Sequence, residues 1–437
     1  MPNSIKPEKL DLKELISMGV GGMVGGGIFS VLGLSVGLAG HAAPVAFLIG
    51  GIIAMLTGYS YSKLGLQFRS DGGSFTYMEK SVKNQNLAAI GGWLLLVGYI
   101  GTLALYSYTF GVYGTAMAGH SQYSSAVQHF LASFVILLFL GINLYGIKAA
   151  GHTEVLIVIT KVVILALFAG IGIFFVKENY ILPIFNKGSA GLFMGAALIF
   201  VAYEGFELIP NAVNEMKDPE RNLPKSIMIS ILITIAIYLL VSFVAVGNLT
   251  PDKIAQYKEY ALAEAAKPFL GKAGFILIGL GALLSTASAI NATLFGTARL
   301  GMVMAQDKDL PKIFSFKERT KNIPWVSLTI ISILTLIFVN IADLTLISSF
   351  ASSTFLLIFI FVNFSAIKLH KQIDINYLYP FTGLTLSILS WLVLIVYLWQ
   401  TNENGFIWLG VFYVAVIIAE LLFSERRILF IFRKQKI

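Results

Sequence analysis

The sequence contains the stretch Gly19-Val-Gly-Gly-Met-Val-Gly-Gly-Gly-Ile-Phe-Ser-Val-Leu-Gly33, which is apolar but carries glycine where a helix would carry side chains. Each glycine inside a helix costs roughly 1 kcal/mol relative to alanine, so the triplet Gly25–Gly27 predicts a helix break. Within a bilayer, a broken helix is tolerated only where the freed peptide groups are buried in protein or line a water-filled cavity. The stretch is therefore the first candidate for a binding site.

The composition is that of an integral membrane protein. Of the 437 residues, 57% are hydrophobic and 12% are charged, and the mean hydropathy is +0.81, far from the values of a soluble domain. Cysteine is absent, which excludes disulfides, thiol catalysis and cysteine-ligated metals. The five histidines show no i, i+4 pair of the kind that forms a helical metal site. We therefore expect neither a metal centre nor an enzyme active site.

We interpret the long apolar runs as twelve transmembrane helices of an all-α protein, with a single domain covering residues 1–437. The runs lie at about residues 14–38, 44–67, 88–118, 125–147, 149–176, 189–214, 225–248, 273–304, 325–341, 344–367, 376–399 and 405–424. An even number of spans places both chain ends on the same side of the membrane.

Positive charge is concentrated on the side of the termini. Most of the 31 Lys and Arg residues lie in the loops and tails of that side, which the positive-inside rule makes cytoplasmic. Because these residues are spread over many loops and form no patch, we expect no nucleic-acid partner. The sequence thus predicts a multi-pass protein of the cell membrane (plasma or inner), surrounded by the lipid bilayer. In the outer loop 250–272, Thr250-Pro251-Asp252 is a helix-start signal that predicts a short external helix.

The sixth apolar run contains a second break. Glu204 and Glu207 flank Gly205, and Pro210 follows, whereas each buried charge costs at least about 2.5–3.5 kcal/mol in a lipid-facing helix. The run is therefore predicted to break near Tyr203–Phe206. Five spans separate the two breaks, which predicts inverted repeats at about 14–176 and 189–367, followed by two extra helices at about 376–424. A pair of interrupted segments at corresponding positions indicates a site at the membrane midplane.

Several motifs together resemble the amino acid/polyamine/organocation (APC) transporter superfamily. They are the glycine run GVGGMVGGGIF, the loop RSDGGSFTYMEK, the segment FVAYEGFELIPNAVNEMKDPERNLPKSI and the segment LLSTASAINATLFGTARLGMVMAQDKDLP. The lysine in VLIVITKVVILALFAG is similar in particular to the archaeal proton-coupled, broad-specificity amino acid transporters. The resemblance covers essentially the whole chain. It implies twelve helices, a five-plus-five inverted repeat and alternating access to a small-molecule amino acid substrate.

An amino acid zwitterion needs donors for its carboxylate and acceptors for its ammonium group. Unwinding near Val24–Gly27 frees backbone N–H groups at the start of a half-helix, where the helix dipole also favours an anion. We assign the carboxylate to the amides of Gly25, Gly26, Gly27 and Ile28. We assign the ammonium group to carbonyls freed at Val201, Ala202 and Glu204. The alternative for the glycine run is close helix packing, which small residues also serve.

Lys161 is the most informative single residue. It lies about 12 residues into the fifth apolar run, roughly 18 Å from its cytoplasmic end, which is too deep for a lysine to reach the surface. Burial disfavours the charged form of an ammonium group, so such a lysine would exchange a proton within the physiological pH range. The resemblance implies that it replaces a bound sodium ion, with Gly21 and Ser288 as its neighbours. The proton would then be the coupling ion, with no other cofactor. The alternative is a static lysine paired with a carbonyl or carboxylate.

The residues around the second break leave alternatives open. Glu207 matches an acidic position that is linked to proton sensing in some exchangers of the superfamily, whereas Glu204 falls where many relatives have an apolar residue. Glu204 would either recruit a cationic side chain or amine, or point into a water-filled vestibule. Tyr203 and Phe206 are candidate gates. Glu154 lies near the membrane surface, which favours a solvated role.

The function predicted from these observations is secondary active transport of amino acids, as proton-coupled import. The alternative is an exchanger that swaps an amino acid for another amino acid or an amine. A membrane sensor or a channel is a more remote alternative, because a sensor normally carries a soluble effector domain and a channel shows rings of like charge.

Overall fold

The computed structural model describes residues 9–70, 72–82, 85–119, 124–146, 151–318 and 323–434. These residues are helical nearly throughout, and the described part of the chain forms no β-strand beyond one isolated bridge between Leu10 and Met216. Ten helical segments of the described residues are long and apolar enough to cross a membrane, and the apolar helix Trp325–Ile341 is shorter. The predicted all-α, multi-pass architecture is confirmed at this level.

Fifteen α-helices follow one another in the described residues. They are α1 (Leu12–Met23), α2 (Gly27–Ala39), α3 (Ala43–Gln67), α4 (Ser74–Ser81), α5 (Gln85–Ala118), α6 (Ser124–Tyr145), α7 (Gly151–Gly172), α8 (Gly188–Leu198), α9 (Pro219–Asn248), α10 (Pro251–Gln256), α11 (Ala261–Gln306), α12 (Trp325–Ile341), α13 (Leu344–Lys368), α14 (Leu378–Thr401) and α15 (Glu403–Lys434). Short 3-10 helices cover Gly40–Ala42, Ile173–Phe175, Glu178–Tyr180, Ile199–Tyr203, Phe206–Glu215 and Lys312–Ser315.

The first predicted break is confirmed. Helix α1 begins at a capping box, in which the Asp11 side chain accepts from the Glu14 amide and Glu14 accepts from the Asp11 amide, and it ends at Met23. A turn follows at Val24–Gly26, and α2 begins at Gly27. The glycine triplet therefore separates two half-helices of one apolar run, as its low helix propensity predicts.

The second predicted break is also present and is longer than the first. Helix α8 ends at Leu198, and a 3-10 helix leads to Glu204, whose backbone is extended (φ −67°, ψ 148°). Gly205 adopts φ 122°, a conformation that favours glycine, and a second 3-10 helix follows over Phe206–Glu215. Pro210 lies inside this 3-10 helix, where it prevents an α-helical ladder.

The remaining helices agree with the predicted runs to within several residues, with two corrections. The last run, 405–424, is part of α15, which continues to Lys434. The eighth run, 273–304, is the C-terminal part of α11, which already begins at Ala261 and bends at Gly271 (φ 59°, ψ −149°). The predicted external helix of the outer loop is α10 together with this first part of α11. The number of membrane crossings and the inverted repeat stay predictions.

The two breaks lie inside the bundle. Helices α1 and α2 contact α5, α7, α9 and α11. The 3-10 helix Ile199–Tyr203, which begins the second break, contacts α2, α3 and α13. Apolar side chains such as Phe130 on α6 (67% exposed) and Trp408 on α15 (65% exposed) point outward from the bundle. The peripheral helices thus present the apolar surface that a bilayer requires, whereas the broken segments are shielded from it.

Candidate functional site

The two broken segments touch each other backbone to backbone. A Cβ atom added to Gly22 would lie 2.9 Å from the Cα of Gly205, and one added to Gly205 would lie 2.5 Å from the carbonyl carbon of Gly22. Real Cβ atoms do not approach other atoms this closely, and the φ of Gly205 adds strain for any other residue. Glycine at both positions is therefore what allows the breaks to meet.

The three glycines of the triplet pack against three different parts of the structure. A Cβ added to these residues would lie close to Ala289 Cβ of α11 (2.7 Å from Gly25), Tyr106 Cδ1 of α5 (2.5 Å from Gly26) and Ala202 Cα of the second break (2.8 Å from Gly27). Close packing also explains the glycines at the ends of the run, since Gly33 abuts the backbone of Lys258. The packing alternative thus holds for Gly33, while the triplet both packs and interrupts the helix.

One of the four amides assigned to a substrate carboxylate has a hydrogen-bond partner in the protein. Gly25 N–H donates to the Gly22 carbonyl (3.2 Å). Gly26, Gly27 and Ile28 stand at the N-cap and the first two positions of α2, where amides have no acceptor one turn earlier in the helix. The assignment of the substrate carboxylate is therefore narrowed to the amides of Gly26, Gly27 and Ile28 and stays a prediction.

Tyr238 of α9 bridges the two breaks. Its hydroxyl lies 2.6 Å from the Met23 carbonyl at the end of α1 and 2.9 Å from the Ala202 carbonyl in the second break. Sequence reasoning missed this residue, because a tyrosine inside an apolar run has no local signature. Of the carbonyls assigned to an ammonium group, Ala202 thus has this hydroxyl as a partner, and Val201 accepts from the Glu204 amide (3.2 Å).

Two serines from neighbouring helices also hold the breaks open. Ser352 of α13 donates to the Leu198 carbonyl (2.6 Å) and accepts from the Val201 amide (3.0 Å), so it satisfies backbone groups freed where α8 ends. Ser285 of α11 donates to the Val24 carbonyl in the first break. Neither serine was predicted, since each acts on backbone far away in the sequence.

One face of α5 contacts both breaks. Tyr99, Thr102 and Tyr106 follow the i, i+3, i+7 spacing of a helix face. Thr102 donates to Glu204 Oε2 (2.5 Å), Tyr99 lies 3.4 Å from Glu207 Oε1, and Tyr106 donates to the Gly22 carbonyl (3.2 Å). The glutamates are 3% and 1% exposed, and both therefore point into the bundle rather than into open solvent.

Glu207 also binds backbone. Its Oε2 accepts from the Gly205 amide at 2.6 Å, so the side chain caps the start of the 3-10 helix that follows the break. Together with the Tyr99 hydroxyl, this amide gives both carboxylate oxygens a donor. Glu207 is therefore built into the second break.

The predicted gates face away from the glycine triplet. The Tyr203 hydroxyl donates to the Phe47 carbonyl of α3 (2.6 Å), and the Phe206 ring packs between Tyr61 of α3 and Phe359 of α13. The ring that covers Gly25 and Gly26 is instead Tyr106. A gating role for Tyr203 and Phe206 stays a prediction, and these contacts identify a different ring over the first break.

Lys161 lies where the sequence predicts it. Its side chain is fully buried (0% exposed), and its Nζ donates to the Gly21 carbonyl at 2.7 Å. Contact with Gly21 is therefore confirmed. Ser288 is half-buried on α11, and its proximity to the lysine stays a prediction; the α11 serine that bonds the first break is Ser285.

Glu154 corrects the expectation of a solvated side chain. It lies seven residues before Lys161 on the same face of α7, half-buried, and its Oε1 is 3.8 Å from the position of a Cβ on Gly21. It also interacts electrostatically with Lys161. Helix α1, which carries Gly21, packs against α7 and reduces the exposure of this side chain.

Metal ligands are not assembled in this region. Within the described ranges, no group of three His, Asp or Glu side chains is arranged to hold a metal ion. The chemistry available around the breaks is that of backbone amides and carbonyls, hydroxyl groups, two buried carboxylates and one buried amine.

A helical bundle with two broken, mutually contacting apolar segments has the architecture of a secondary transporter. The family model described as "Amino acid permease" matches residues 10–421, so the chain belongs to the amino acid permease family. It is a multi-pass membrane transport protein of the APC type and not an enzyme.

The comparisons agree on this class. The chain is 33% identical to an uncharacterized protein of Methanocaldococcus jannaschii, with 96% of each chain covered, and 28% identical to the serine/threonine exchanger SteT of Bacillus subtilis, with 85% of each covered. Among solved structures, a mutant of the Eremococcus coleocola manganese transporter has a TM-score of 0.59 over 96% of this chain and 95% of the other, at 11% identity. At that identity, the likeness concerns the fold alone.

Proposed function

We propose that the protein imports amino acids together with protons by alternating access. The observation that carries the proposal is the buried Lys161, whose Nζ donates to the carbonyl of Gly21 just before the first break. A cation is costly in the membrane interior, so the protonation of Lys161 and the conformation of the broken segment depend on each other. Proton binding at Lys161 then serves as the coupling event.

The substrate site of this proposal lies between the two breaks. The substrate carboxylate binds at the start of α2, where the amides of Gly26, Gly27 and Ile28 and the helix dipole favour an anion. The ammonium group binds carbonyls of the second break, including that of Glu204. Tyr238 and Ser352 support this arrangement, since they satisfy other freed backbone groups and leave the unwound segments in place.

The coupling follows from differential stability. With Lys161 charged, its bond to the Gly21 carbonyl stabilises the observed arrangement of the first break. Loss of the proton weakens this bond, so the equilibrium shifts toward a conformation in which the break is arranged differently. A proton gradient thereby biases the direction of the cycle.

The topology proposed with this function has twelve transmembrane helices, a five-plus-five inverted repeat over about 14–176 and 189–367, and both termini in the cytoplasm of a cell (plasma or inner) membrane. The positive charge of the predicted inner loops supports this orientation. Domain-level rocking of one repeat against the other would expose the site alternately to each side.

Uptake by proteoliposomes tests the proposal. The purified protein is reconstituted, and uptake of labelled amino acids is measured with and without an inward proton gradient. We expect accumulation that follows the gradient and collapses with a protonophore. Uptake that requires an opposing internal amino acid and ignores the gradient would contradict the proposal.

That contrary result would favour the second candidate, an exchanger. Two buried carboxylates at the second break support this candidate, because they provide a place to recognise the charge of an amine or amino acid. The Bacillus relative is itself named an exchanger. The same vesicles, loaded internally with unlabelled substrate, distinguish the two modes.

A further inference from the structure

The inference concerns Glu204 and rests on the proposed function. Glu204 immediately precedes Gly205, the residue that touches the first break, and its backbone is extended there. Its side chain is 3% exposed and bonds to Thr102 on α5. A carboxylate thus lies at the contact between the two broken segments, on the α5 side.

In the part of the chain that the structure describes, no ion pair involves Glu204. Arg69–Glu220, Lys80–Glu79 and Lys267–Glu264 are ion pairs between described residues, and none of them includes Glu204. Glu207 accepts from the Gly205 amide and from Tyr99, whereas the bond recorded for Glu204 comes from a single neutral hydroxyl. A buried carboxylate is costly until a cation or a proton joins it.

The position of Glu204 favours a cation supplied by the substrate. Thr102, which holds the carboxylate, is one turn of α5 (about 5.4 Å along the axis) from Tyr106, whose ring covers Gly25 and Gly26. A substrate whose carboxylate binds at the start of α2 would need a side chain of about this length to reach the Glu204 carboxylate. The four-carbon stem of a lysine-like side chain is suited to this span.

We propose that Glu204 makes the site selective for amino acids or amines that carry a second, cationic nitrogen, such as a side-chain ammonium or guanidinium group. A neutral zwitterion brings equal and opposite charges, both of which the backbone groups of the breaks accommodate. Only a substrate of net positive charge compensates the Glu204 carboxylate. The location of Glu204 between the breaks, and not the presence of two acidic residues, gives the site this selectivity.

Equilibrium binding to the purified full-length protein tests this inference. L-lysine and L-norleucine have stems of equal length and differ in the terminal ammonium group, so their affinities isolate the charge. We expect the wild-type protein to bind lysine about tenfold or more tightly than norleucine, as a charge-assisted hydrogen bond in a buried site implies. Equal affinities in the wild-type protein would overturn the inference without any mutant.

Glu204→Gln removes the charge and keeps the shape. We expect its lysine-to-norleucine affinity ratio to fall to about one. The matched control, Glu264→Gln, should keep the preference, because Glu264 is also buried but already pairs with Lys267 on its own helix α11. A Glu204→Gln variant that keeps the wild-type ratio would overturn the inference. A second result would also overturn the inference: wild-type protein that binds norleucine and lysine with equal affinity at low and at neutral pH, and that takes up a proton only when Glu204 is present. The cation that compensates Glu204 would then be the proton.

Failure of the inference is distinguishable from failure of the proposed function. Binding in detergent needs no gradient, so a preference for lysine is measurable even if transport is not coupled to protons. Absence of binding by every amino acid in a broad panel would contradict the proposed function. Binding without a preference for cationic substrates would contradict only the role of Glu204.

Discussion

Replacement of Tyr238 by phenylalanine tests whether the two breaks are held as a unit. The change removes one oxygen atom and leaves the ring, which packs against Phe47 and Tyr203 at centroid distances of 5.4 and 5.2 Å. The hydroxyl links the Met23 carbonyl of the first break to the Ala202 carbonyl of the second. This one oxygen atom bonds to both broken segments, so removing it tests the link directly.

The magnitude follows from the groups left without a partner. The hydroxyl has one hydrogen to share between the two carbonyls. Loss of a partner costs a buried backbone group about 1–3 kcal/mol. One hydrogen bond is removed, so Tyr238→Phe is expected to lower the free energy of unfolding by about 1–3 kcal/mol.

Unfolding in SDS measures this loss, and uptake by proteoliposomes measures its functional effect. The matched control is Tyr413→Phe, since Tyr413 of α15 is half-buried and its hydroxyl donates to Ser353 of α13 (2.8 Å), which belongs to neither broken segment. We expect both variants to lose stability and only Tyr238→Phe to lose most of its uptake. Uptake that is equal in the two variants would refute the argument that Tyr238 positions the breaks.

Three further substitutions probe other parts of the site. Gly205→Ala combines a backbone clash with a strained φ of 122° and should abolish uptake in folded protein. Gly37→Ala, which has open space around its Cβ, should leave uptake intact. Uptake by the Gly205→Ala protein would contradict the contact between the breaks. Glu154→Gln removes the carboxylate that favours charged Lys161, so half-maximal uptake should move to lower pH, and an unchanged pH profile would exclude this interaction. Ser352→Ala should lower the free energy of unfolding by about 1–3 kcal/mol, and Ser352→Thr should restore the wild-type value. Equal stability of Ser352→Ala and wild type would show that the bonds from Ser352 to the second break contribute nothing.

Both breaks were predictable because they violate local rules. Three consecutive glycines at 25–27 and the run from Glu204 to Pro210 are incompatible with a continuous lipid-facing helix, whatever surrounds them. Lys161 was visible for the same reason, as a charge inside an apolar run. Residues that break a local rule leave a signal that sequence reasoning detects.

The supporting residues left no such signal. Ser352 and Tyr238 act on backbone groups 151 and 215 residues away, and a serine or tyrosine inside an apolar helix is unremarkable by composition. Glu154 lies near the start of a helix, which suggests solvent, whereas the packing of α1 against α7 leaves its side chain half-buried. These positions depend on which helices pack together, and that information is tertiary.

The central claim is that protonation of Lys161 drives accumulation of substrate. The most direct measurement compares wild type with Lys161→Ala in proteoliposomes under an imposed pH gradient, with equilibrium substrate binding measured on the same preparations. We predict that the variant retains some binding but loses pH-dependent accumulation, because the amine that bonds to Gly21 is gone. A Lys161→Ala protein that accumulates substrate with the wild-type pH dependence would contradict the account.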